Sequence, residues 1–486
     1  MRIARLLPYV FLVVPMLVLV VNNCVGWRAS EKLALRLAGL TAVCQLAAAF
    51  LGLVLLSQEG GGELSFTLLW SPSPETAYFT VSLKSYFLML CVGLVCLVSV
   101  LTAGETVLRR RGSYCNLLMT LMLGMNGMLL VRDLFSLYVF LEITGISSFV
   151  LIAMFQTKEG LEGAFKYLTM SALATVLVLS GLAFLFLRSG SLAFRDIGPW
   201  LLTGPEGKPD LMSWSALALL ISGFAIKTGA VPFHSWLPDA HQSADTAVSV
   251  LLSGIVIKVA GVYSLIILTR LFPGVRALYV TLAVLGLISI TVGALLALRQ
   301  DHFKRVLAYS SVSQMGYILL GLATGSPLGL VGALLHAFNH ATFKSTLFVN
   351  AAALHARLDT LDIREMGGLQ KVMPITAFSS VCALLSTAGI PPLAGFWSKL
   401  LIVLALWDGG LGGVGAAALV LSILTAGYFL LLQKRVFFGA LDERWEHVTE
   451  IGGGIRLAEL GLTALNLLVG VGFPLVLLYF RHVGMI

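Results

Sequence analysis

Seven ionisable side chains stand inside long apolar runs of this sequence, where water cannot solvate a charge. Two of them, Lys227 and Lys258, lie in the stretch 224–261, which also holds Pro232 five residues after the first lysine. A cation at the centre of a bilayer costs about 3 kcal/mol on insertion scales. Proline interrupts a helix because it lacks a backbone donor and clashes with the preceding turn. An interrupted membrane helix beside an ionisable residue is typical of an ion-binding site in a transporter.

A second interrupted helix lies late in the chain, in the run 386–403. Pro391 and Pro392 break this run, and Lys399 follows seven residues after the second proline. In the first interrupted helix the lysine precedes the proline, and here it follows. An inverted repeat produces this mirrored order, because its two halves cross the membrane in opposite directions.

A polar row lies between the two interrupted helices. His336, His340 and Lys344 are spaced i, i+4 and i+8, which places them along one side of a helix. We predict the carboxylate of Glu142 deep in a span, whereas Glu459, near the start of the last span, is expected at the membrane interface. The candidate set is therefore Glu142, Lys227, Lys258, His336, His340, Lys344 and Lys399.

A set of this kind passes protons if its members exchange them in turn through water or hydroxyl groups. Burial lowers the pKa of a lysine and a nearby carboxylate raises it again, so a Glu–Lys pair whose separation changes loads and releases a proton. Histidine titrates near neutral pH and offers two ring nitrogens. Seven such residues, two of them beside broken helices, favour proton conduction over helix packing alone.

Other interpretations stay open for single residues. A buried lysine can be a packing cation tied to one carboxylate, and the polar row can serve only as hydrogen-bonding contact between helices. His336 and His340 have the spacing of a metal pair, but their helix offers no third ligand. We therefore expect no catalytic, cofactor-binding or metal-binding residue in this chain.

The composition indicates the kind of structure that holds these residues in place. The chain has 486 residues, of which 58% are hydrophobic and 12% charged, whereas soluble domains are about one quarter charged. Apolar runs of about 20 residues, long enough to cross a bilayer, recur throughout. We predict an all-α polytopic membrane protein with about 14 spans. The predicted spans are 3–21, 33–57, 78–101, 114–131, 134–156, 164–187, 214–237, 243–269, 275–297, 303–322, 329–354, 373–405, 412–434 and 455–480.

Charge and cysteine content exclude several classes. The net charge of +8 does not indicate nucleic acid, since Lys and Arg accumulate in the inner loops of membrane proteins. Basic residues favour one set of loops by about two to one, which predicts that both termini lie outside. The six cysteines form no Cys-x-x-Cys pair, and no zinc, haem, Rossmann or phosphate-loop signature is present. A β-prone run, 66–70, predicts a surface hairpin.

Four segments carry the most specific pattern: VPFHSWLPDAHQSADTAVSVLLSGIVIKVAGVYSL, RQDHFKRVLAYSSVSQMGYILLGL, HAFNHATFKSTLF and GIPPLAGFWSKLLIV. They closely resemble the antiporter-like subunits of respiratory complex I, of Mrp-type cation/proton antiporters and of membrane-bound hydrogenases. The resemblance covers roughly residues 70–480. It implies fourteen helices, of which the seventh and twelfth are broken. The implied division is 1–112 (helices 1–3), two inverted five-helix repeats at 113–270 and 271–435, and a C-terminal loop and helix at 436–486.

The resemblance also implies roles for the candidate residues. Glu142 of the fifth helix and Lys227 of the broken seventh helix match the family's Glu–Lys pair. Lys258 matches the eighth-helix lysine that links the two half-channels. The remaining matches are His336, His340 and Lys344 in the central eleventh helix, and Lys399 as the terminal residue on the broken twelfth helix.

The resemblance leaves several functions open. The chain ends soon after its fourteenth span, without the long lateral helix of the distal complex I subunit, so it looks more like an Mrp-D-type or hydrogenase-type subunit. We expect a proton-translocating subunit of a redox-driven membrane complex, with Na⁺ as an alternative ion. The alternatives are a subunit of a cation/proton antiporter without redox chemistry and a non-transporting scaffold.

The same resemblance sets expectations for partners and location. We expect antiporter-like and small hydrophobic membrane subunits, lipid, and peripheral redox subunits as partners, and no nucleic acid. Iron–sulfur or flavin groups would belong to those peripheral subunits, since we expect no cofactor in this chain. The expected location is the prokaryotic cytoplasmic membrane.

Overall fold

The computed structural model describes residues 2–24, 31–58, 62–66, 79–201 and 210–486, with the side chains of 2–5 and 198–201 excepted. It is almost entirely helical. The helices are α1 (Arg2–Cys24), α2 (Glu31–Gln58), α3 (Leu83–Thr106), α4 (Arg111–Leu130), α5 (Leu134–Ala153), α6 (Lys158–Ser189), α7 (Phe194–Leu201), α8 (Leu211–Thr228), α9 (Trp236–Ser243), α10 (Thr246–Leu251), α11 (Ser264–Leu271), α12 (Arg276–Ala297), α13 (Phe303–Ala323), α14 (Pro327–Leu358), α15 (Pro374–Ala388), α16 (Ala394–Asp408), α17 (Gly412–Val436), α18 (Gly453–Val471) and α19 (Phe473–His482).

The predicted class, an all-α polytopic membrane protein, is confirmed. Twelve helical stretches of the described chain are long and apolar enough to cross a bilayer, among them the continuous stretch Thr246–Leu271. Two further crossings are less apolar or interrupted, and they bring the count to fourteen. They are α14, whose 32 residues include the predicted polar row, and the pair α15–α16, each of 15 residues.

The third predicted span, 78–101, is wrong at its start. Phe79–Val81 forms a strand, β2, which pairs antiparallel with Leu64–Phe66 (β1), and the helix begins only after Ser82. The Ser82 hydroxyl caps the helix by accepting from the backbone N–H of Ser85 at 3.2 Å. Residue 66 of the predicted β-prone run lies in β1, and residues 67–70 lie outside the described part of the chain.

Both predicted helix interruptions are present, and they share one local geometry. Gly229 caps the end of α8 and Gly389 caps the end of α15, each with positive φ (70° and 87°). In both cases the glycine N–H and the next N–H reach back to carbonyls three and five residues earlier, which closes a Schellman cap. A cis proline follows three residues after each glycine, at Pro232 and Pro392.

Two helices form the buried centre. Residues 331–354 of α14 are all buried. So are residues 246–268, which run from the start of α10 into α11. The second stretch contains two π-helical segments, Leu252–Val256 and Lys258–Tyr263. π-turns inside α-helices occur frequently at functional sites. The surrounding helices carry large apolar side chains on their outer faces, such as Phe165 and Ile423, each 68% exposed.

One face of the molecule gathers the loops 107–110, 154–157, 244–245, 298–302, 359–373 and 437–452, and we call it the basic face. Contacts tie these loops together. They include Arg110 to the Met154 carbonyl (2.8 Å), Thr106 to Asp245 (3.0 Å), Lys304 to the Ala244 carbonyl (2.7 Å), Arg435 to Asp301 (3.3 Å) and Arg357 to the Glu450 carbonyl (3.0 Å). These are the loops in which the sequence places most of its excess Lys and Arg. The division of the chain into two repeats, 113–270 and 271–435, stays a prediction.

Candidate ion-translocation path

The predicted Glu–Lys pair is present beside the first interrupted helix. Lys227, two residues before the Gly229 cap, lies 3.7 Å from Glu142 Oε1 on α5. Its ammonium group also donates to Ser171 on α6 at 2.6 Å. Glu142 accepts from Thr175 at 2.6 Å. The Lys227 side chain is 4% exposed and that of Glu142 25% exposed, so the carboxylate is the member of the pair that a neighbouring subunit can reach.

A small cavity of about 10 Å³ is lined in part by Lys227. Its walls include Tyr167 and Ser171 from α6 and Val256 and Ala260 from the π-helical stretch. This volume is close to the smallest that holds one water molecule. The cavity therefore has room for about one water molecule between the Lys227 side chain and the helix that carries Lys258.

Lys258 is fully buried in the second π-helical segment. Its ammonium group donates to the carbonyls of Ser253 and Gly254, the latter at 2.7 Å. These carbonyls belong to the preceding π-turns. The hydroxyl of Ser253 is 2.9 Å from that of Ser311 on α13. Lys258 therefore bonds to a residue, Ser253, whose hydroxyl in turn meets α13, and its linking role stays a prediction.

A glycine brings this helix close to the first interruption. A Cβ atom at Gly261 would lie 2.6 Å from both the backbone N and the Cα of Thr228, the last residue of α8. Real Cβ contacts are not that short. The absence of a side chain at Gly261 therefore allows the π-helical stretch that carries Lys258 to lie directly against the end of the helix that carries Lys227.

The predicted polar row of α14 is fully buried. His336 Nδ1 is 3.0 Å from the hydroxyl of Ser398, the residue before Lys399. Neither ring nitrogen of His340 has a hydrogen-bond partner among the described residues. Lys344 donates to the Leu307 carbonyl at 2.9 Å and to the Ser310 hydroxyl, both on α13. The row therefore reaches α16 at one end and α13 at the other.

Lys399 lies next to the second interruption. It donates to the carbonyls of Thr387 (2.7 Å) and Ala388 (3.3 Å), the last two residues of α15. Its ammonium group is 4.4 Å from the ring centroid of Tyr317, and that ring is 5.8 Å from the ring of His336. The structure thus brings the terminal lysine and the first histidine of the row around one aromatic ring.

His241 is a buried histidine beside α14 that the sequence analysis did not select. It is fully buried at the end of α9, and both of its ring nitrogens lack a partner among the described residues. Its ring stacks on Phe348 of α14 with centroids 4.8 Å apart. A histidine between two aspartates, as in Asp239–Asp245, is easily interpreted as a loop residue. Its burial against α14 is a tertiary contact that no local pattern shows.

The sequence predicts that Glu459 lies at the membrane interface, near the start of the last span, and the structure shows that it is also fully buried. The reason is that the first turns of α18 are enclosed by α14, α15 and α3. Its carboxylate lies 3.4 Å from the Thr376 hydroxyl. Glu142 is therefore not the sole carboxylate deep in the bundle.

The basic face carries a separate charge network. Asp239 accepts from Lys166 and from Arg305, each at 2.8 Å. Burial alone would raise the pKa of Asp239, but these two hydrogen-bonded cations outweigh burial and hold its pKa below the usual value. In the next loop, burial together with Lys304 and Arg305 lowers the pKa of His302 to about 4. This loop histidine is therefore neutral at pH 7.

With this geometry, comparison with known proteins identifies the family. Residues 131–425 match the profile of the transmembrane family described as NADH:quinone oxidoreductase/Mrp antiporter. This chain belongs to that family. One relative, an NADH-quinone oxidoreductase subunit from Desulforudis audaxviator, is 35% identical over 342 residues, which are 69% of this chain and 67% of the relative. Another, an Na(+)/H(+) antiporter subunit from Alkalihalophilus pseudofirmus, is 31% identical over 385 residues, which are 78% and 76%.

Chains of two solved membrane complexes match this chain along its whole length. A chain of the Mrp complex from a Dietzia species superposes with a TM-score of 0.88 at 26% identity, covering 100% of this chain and 97% of its own. A chain of the membrane-bound sulfane sulfur reductase, an archaeal respiratory membrane complex, gives 0.86 at 26% identity, with the same coverage. The protein is an antiporter-like membrane subunit, and its structural relatives are parts of multisubunit membrane complexes.

Proposed function

We propose that this antiporter-like subunit moves protons across the membrane along the seven residues chosen from sequence. The observation that supports this most strongly is the ion pair between Lys227 and Glu142 at an interrupted helix. An ionisable residue inside a membrane segment is expensive and is kept mainly on ion pathways. Two charges in one apolar region, one of them 4% exposed, fit that description better than a packing role.

The proposed path runs through the centre of the chain. A proton enters beside Lys227 or Lys258, passes to the row on α14, and leaves near Lys399. Glu142 controls the charge on Lys227, because a carboxylate stabilises the ammonium form of a nearby lysine. Since its side chain is 25% exposed, a charged residue of an adjacent subunit can act on this pair.

For the energy source, we favour redox chemistry in partner subunits. The relative from Desulforudis audaxviator is a subunit of an NADH-quinone oxidoreductase, and one of the two structural relatives is a respiratory complex. Iron–sulfur or flavin groups would then be held by peripheral subunits. The chain would lie in a prokaryotic cytoplasmic membrane with both termini outside.

A second candidate is a cation/proton antiporter that uses ion gradients alone. Similarity to a component of an Na(+)/H(+) antiporter and to an Mrp complex supports it. In this case Na⁺ would move as well as H⁺. The same seven residues would serve, since the two candidates differ in the partner subunits and in the coupling ion.

Two measurements test these proposals. The first is mass spectrometry of the intact complex, purified in mild detergent through a tag on this subunit. Co-purifying redox subunits support the first candidate, and exclusively small hydrophobic subunits support the second. The second measurement is proton movement in vesicles that contain the complex. Wild-type flux in both Glu142→Gln and Lys399→Ala would refute proton conduction along this path and leave the scaffold function.

A further inference from the structure

The buried carboxylate of Glu459 has no role in the path described above. Among the described residues, none carrying a positive charge forms an ion pair with it. It is instead held by neutral groups of two neighbouring helices. With the Asn350 amide oriented to satisfy both of its ends, its nitrogen donates to Glu459 Oε1 at 2.8 Å and its oxygen accepts from Ser380 N at 3.1 Å. The charged groups that act on it are Glu450 and, one turn earlier on α18, Arg456, which forms no ion pair with it. A buried carboxylate without an ion-pair partner points to a functional role.

Glu459 is joined to the basic face through a single hydroxyl group. The Thr376 hydroxyl donates to Glu450 Oε1 at 2.7 Å and lies 3.4 Å from Glu459 Oε2. Glu450 is partly exposed in the loop 437–452, and its other oxygen accepts from the backbone N–H of Ile375 at 2.7 Å. Thr376 therefore bridges one carboxylate that solvent can reach and one that it cannot.

In the other direction, polar residues continue along α18. Thr463 and Asn466 follow Glu459 at i+4 and i+7, so the three share one side of the helix. Both are buried, with 4% and 2% exposure. The Thr463 hydroxyl has no hydrogen-bond partner among the described residues. A buried hydroxyl without a protein partner is a position where a water molecule is expected. The three side chains together extend about 10 Å along the helix axis.

This row ends at the second interruption. Asn466 accepts from the Ser386 hydroxyl at 2.9 Å, and that hydroxyl accepts from the backbone N–H of Gly395 at 3.0 Å. Ser386 precedes Thr387, whose carbonyl holds Lys399 at 2.7 Å. Close packing fixes this end of α18, because a Cβ at Gly470 would lie 2.8 Å from the backbone nitrogen of Ala394. The polar row thus runs from the basic face to the site of Lys399.

We propose that Glu450, Thr376, Glu459, Thr463 and Asn466 form a second proton-access branch, which connects the basic face to Lys399 along α18. This inference rests on the proposed function, since it assumes that Lys399 carries protons. The branch gives the second half of the chain its own access to the basic face, independent of Lys227.

The proton transfer across Thr376 is balanced. When Glu459 is protonated and Glu450 is not, the Glu459 O–H bond breaks and its proton goes to the Thr376 oxygen. The Thr376 O–H bond breaks at the same time, and that proton goes to Glu450. The hydroxyl ends with one proton, Glu459 is left as the carboxylate, and Glu450 is neutral. No oxidant, reductant or co-reactant is needed.

The test uses the complete complex, purified through a tag on this subunit and reconstituted in vesicles. Proton flux is measured for Glu459→Gln, Glu459→Asp and Glu142→Gln, and for Glu446→Gln as a matched control on the exposed part of the same loop. Glutamine keeps an acceptor for Asn350 and a donor toward Thr376, but it carries no transferable proton. We expect Glu459→Gln to lower the flux about tenfold, since the other branch remains. Glu446→Gln leaves it unchanged.

Glu459→Asp distinguishes a loss of proton relay from a loss of packing at this position. It retains a titratable group, so it restores most of the flux and changes the pH at which flux is half-maximal. A change that only loosened packing lowers flux equally at all pH values. If Glu459→Gln transports at the wild-type rate while Glu142→Gln does not, the branch is refuted and the proposed function stands. If Glu142→Gln and Lys399→Ala also transport normally in the same vesicles, the proposed function itself has failed.

If Glu459→Gln reduces the amount of assembled complex, variants of Thr463 test the branch instead. Its hydroxyl makes no hydrogen bond with a described residue, so Thr463→Val removes no such bond and preserves the shape of the side chain. We expect Thr463→Val to slow proton flux severalfold and Thr463→Ser to restore it. Wild-type flux in Thr463→Val would overturn the branch.

Discussion

The two interrupted helices have the same cap but hold their lysines differently. Lys227 faces a carboxylate, Glu142, at 3.7 Å. Lys399 faces two backbone carbonyls and the ring of Tyr317, with no ion-pair partner among the described residues. An ion pair responds to any neighbour that attracts one of its members, whereas carbonyl groups at a helix end are fixed. Under the proposed function, the first site can respond to a charged residue of a neighbouring subunit, and the second receives protons from the polar row on α14.

The comparison of the two sites predicts that a change at Glu142 has the largest effect on proton flux. Glu142→Gln retains a hydrogen-bond acceptor for Thr175 but removes the charge that Lys227 faces. We expect proton flux in vesicles to fall by about a hundredfold or more, with a normal amount of assembled complex. The matched control is Glu162→Gln, which removes a carboxylate 61% exposed and paired with Lys166. Normal flux in Glu142→Gln would show that the ion pair is structural.

Lys399→Arg tests whether the lysine of the second interrupted helix must release its proton. Lys399→Arg keeps the positive charge near Tyr317 but cannot release its proton, because the pKa of arginine lies above 12. We expect flux to fall about as far as in Lys399→Ala, on the order of a hundredfold. The control is Lys434→Arg, at an exposed position of α17. If Lys399→Arg transports normally, this lysine is a fixed charge and protons leave by another route.

Two glycines test whether both interruptions depend on close packing. A Cβ at Gly261 meets the backbone of Thr228 at 2.6 Å, and one at Gly395 meets the carbonyl carbon of Ser386 at 2.8 Å. We expect either change to alanine to destabilise the protein by about 1–3 kcal/mol, measured as a lower thermal unfolding midpoint. Gly427→Ala is the control, since nothing lies within 4 Å of its Cβ position. Equal midpoints in all three variants would contradict the packing argument.

The smallest effect is expected on the basic face. Asp239→Asn removes the partner of Lys166 and Arg305, and these partly exposed pairs contribute less than about 1 kcal/mol. Because the folded pKa of Asp239 is lowered, this contribution is complete above its unfolded pKa of about 3.9 and is lost as the pH falls through the folded value. The midpoints of wild type and variant should therefore differ slightly at pH 7 and converge in acid. A constant difference would contradict this.

The sequence alone was sufficient to find residues whose chemistry does not fit the apolar run around them. A lysine in an apolar run and a proline beside it stand out without any structure, and both interruptions lie where Pro232 and Pro392 predict them. The pairing of Glu142 with Lys227 needed the family resemblance, because 85 residues separate the two positions. No periodicity shows which of many helices become neighbours.

The features that the sequence analysis missed have no unusual pattern in the sequence. Glu459 lies six residues after the start of α18, where a carboxylate usually reaches the interface. It is buried because neighbouring helices cover that end of α18, which depends on tertiary packing alone. The π-turns around Lys258 were missed as well, since the sequence there has the same apolar character as an α-helix.

The burial of α14 has a consequence for how the protein is made. A membrane helix that is synthesised alone must first leave the translocon toward lipid, and its histidines, lysine and asparagines make that exit costly. All of residues 331–354 are shielded from lipid in the finished structure. Part of that shield, α16 and α18, is synthesised only after α14. The polar centre is therefore completed late in biogenesis, and until then the nascent chain depends on earlier helices, an insertase or another membrane protein to hold α14 in the membrane.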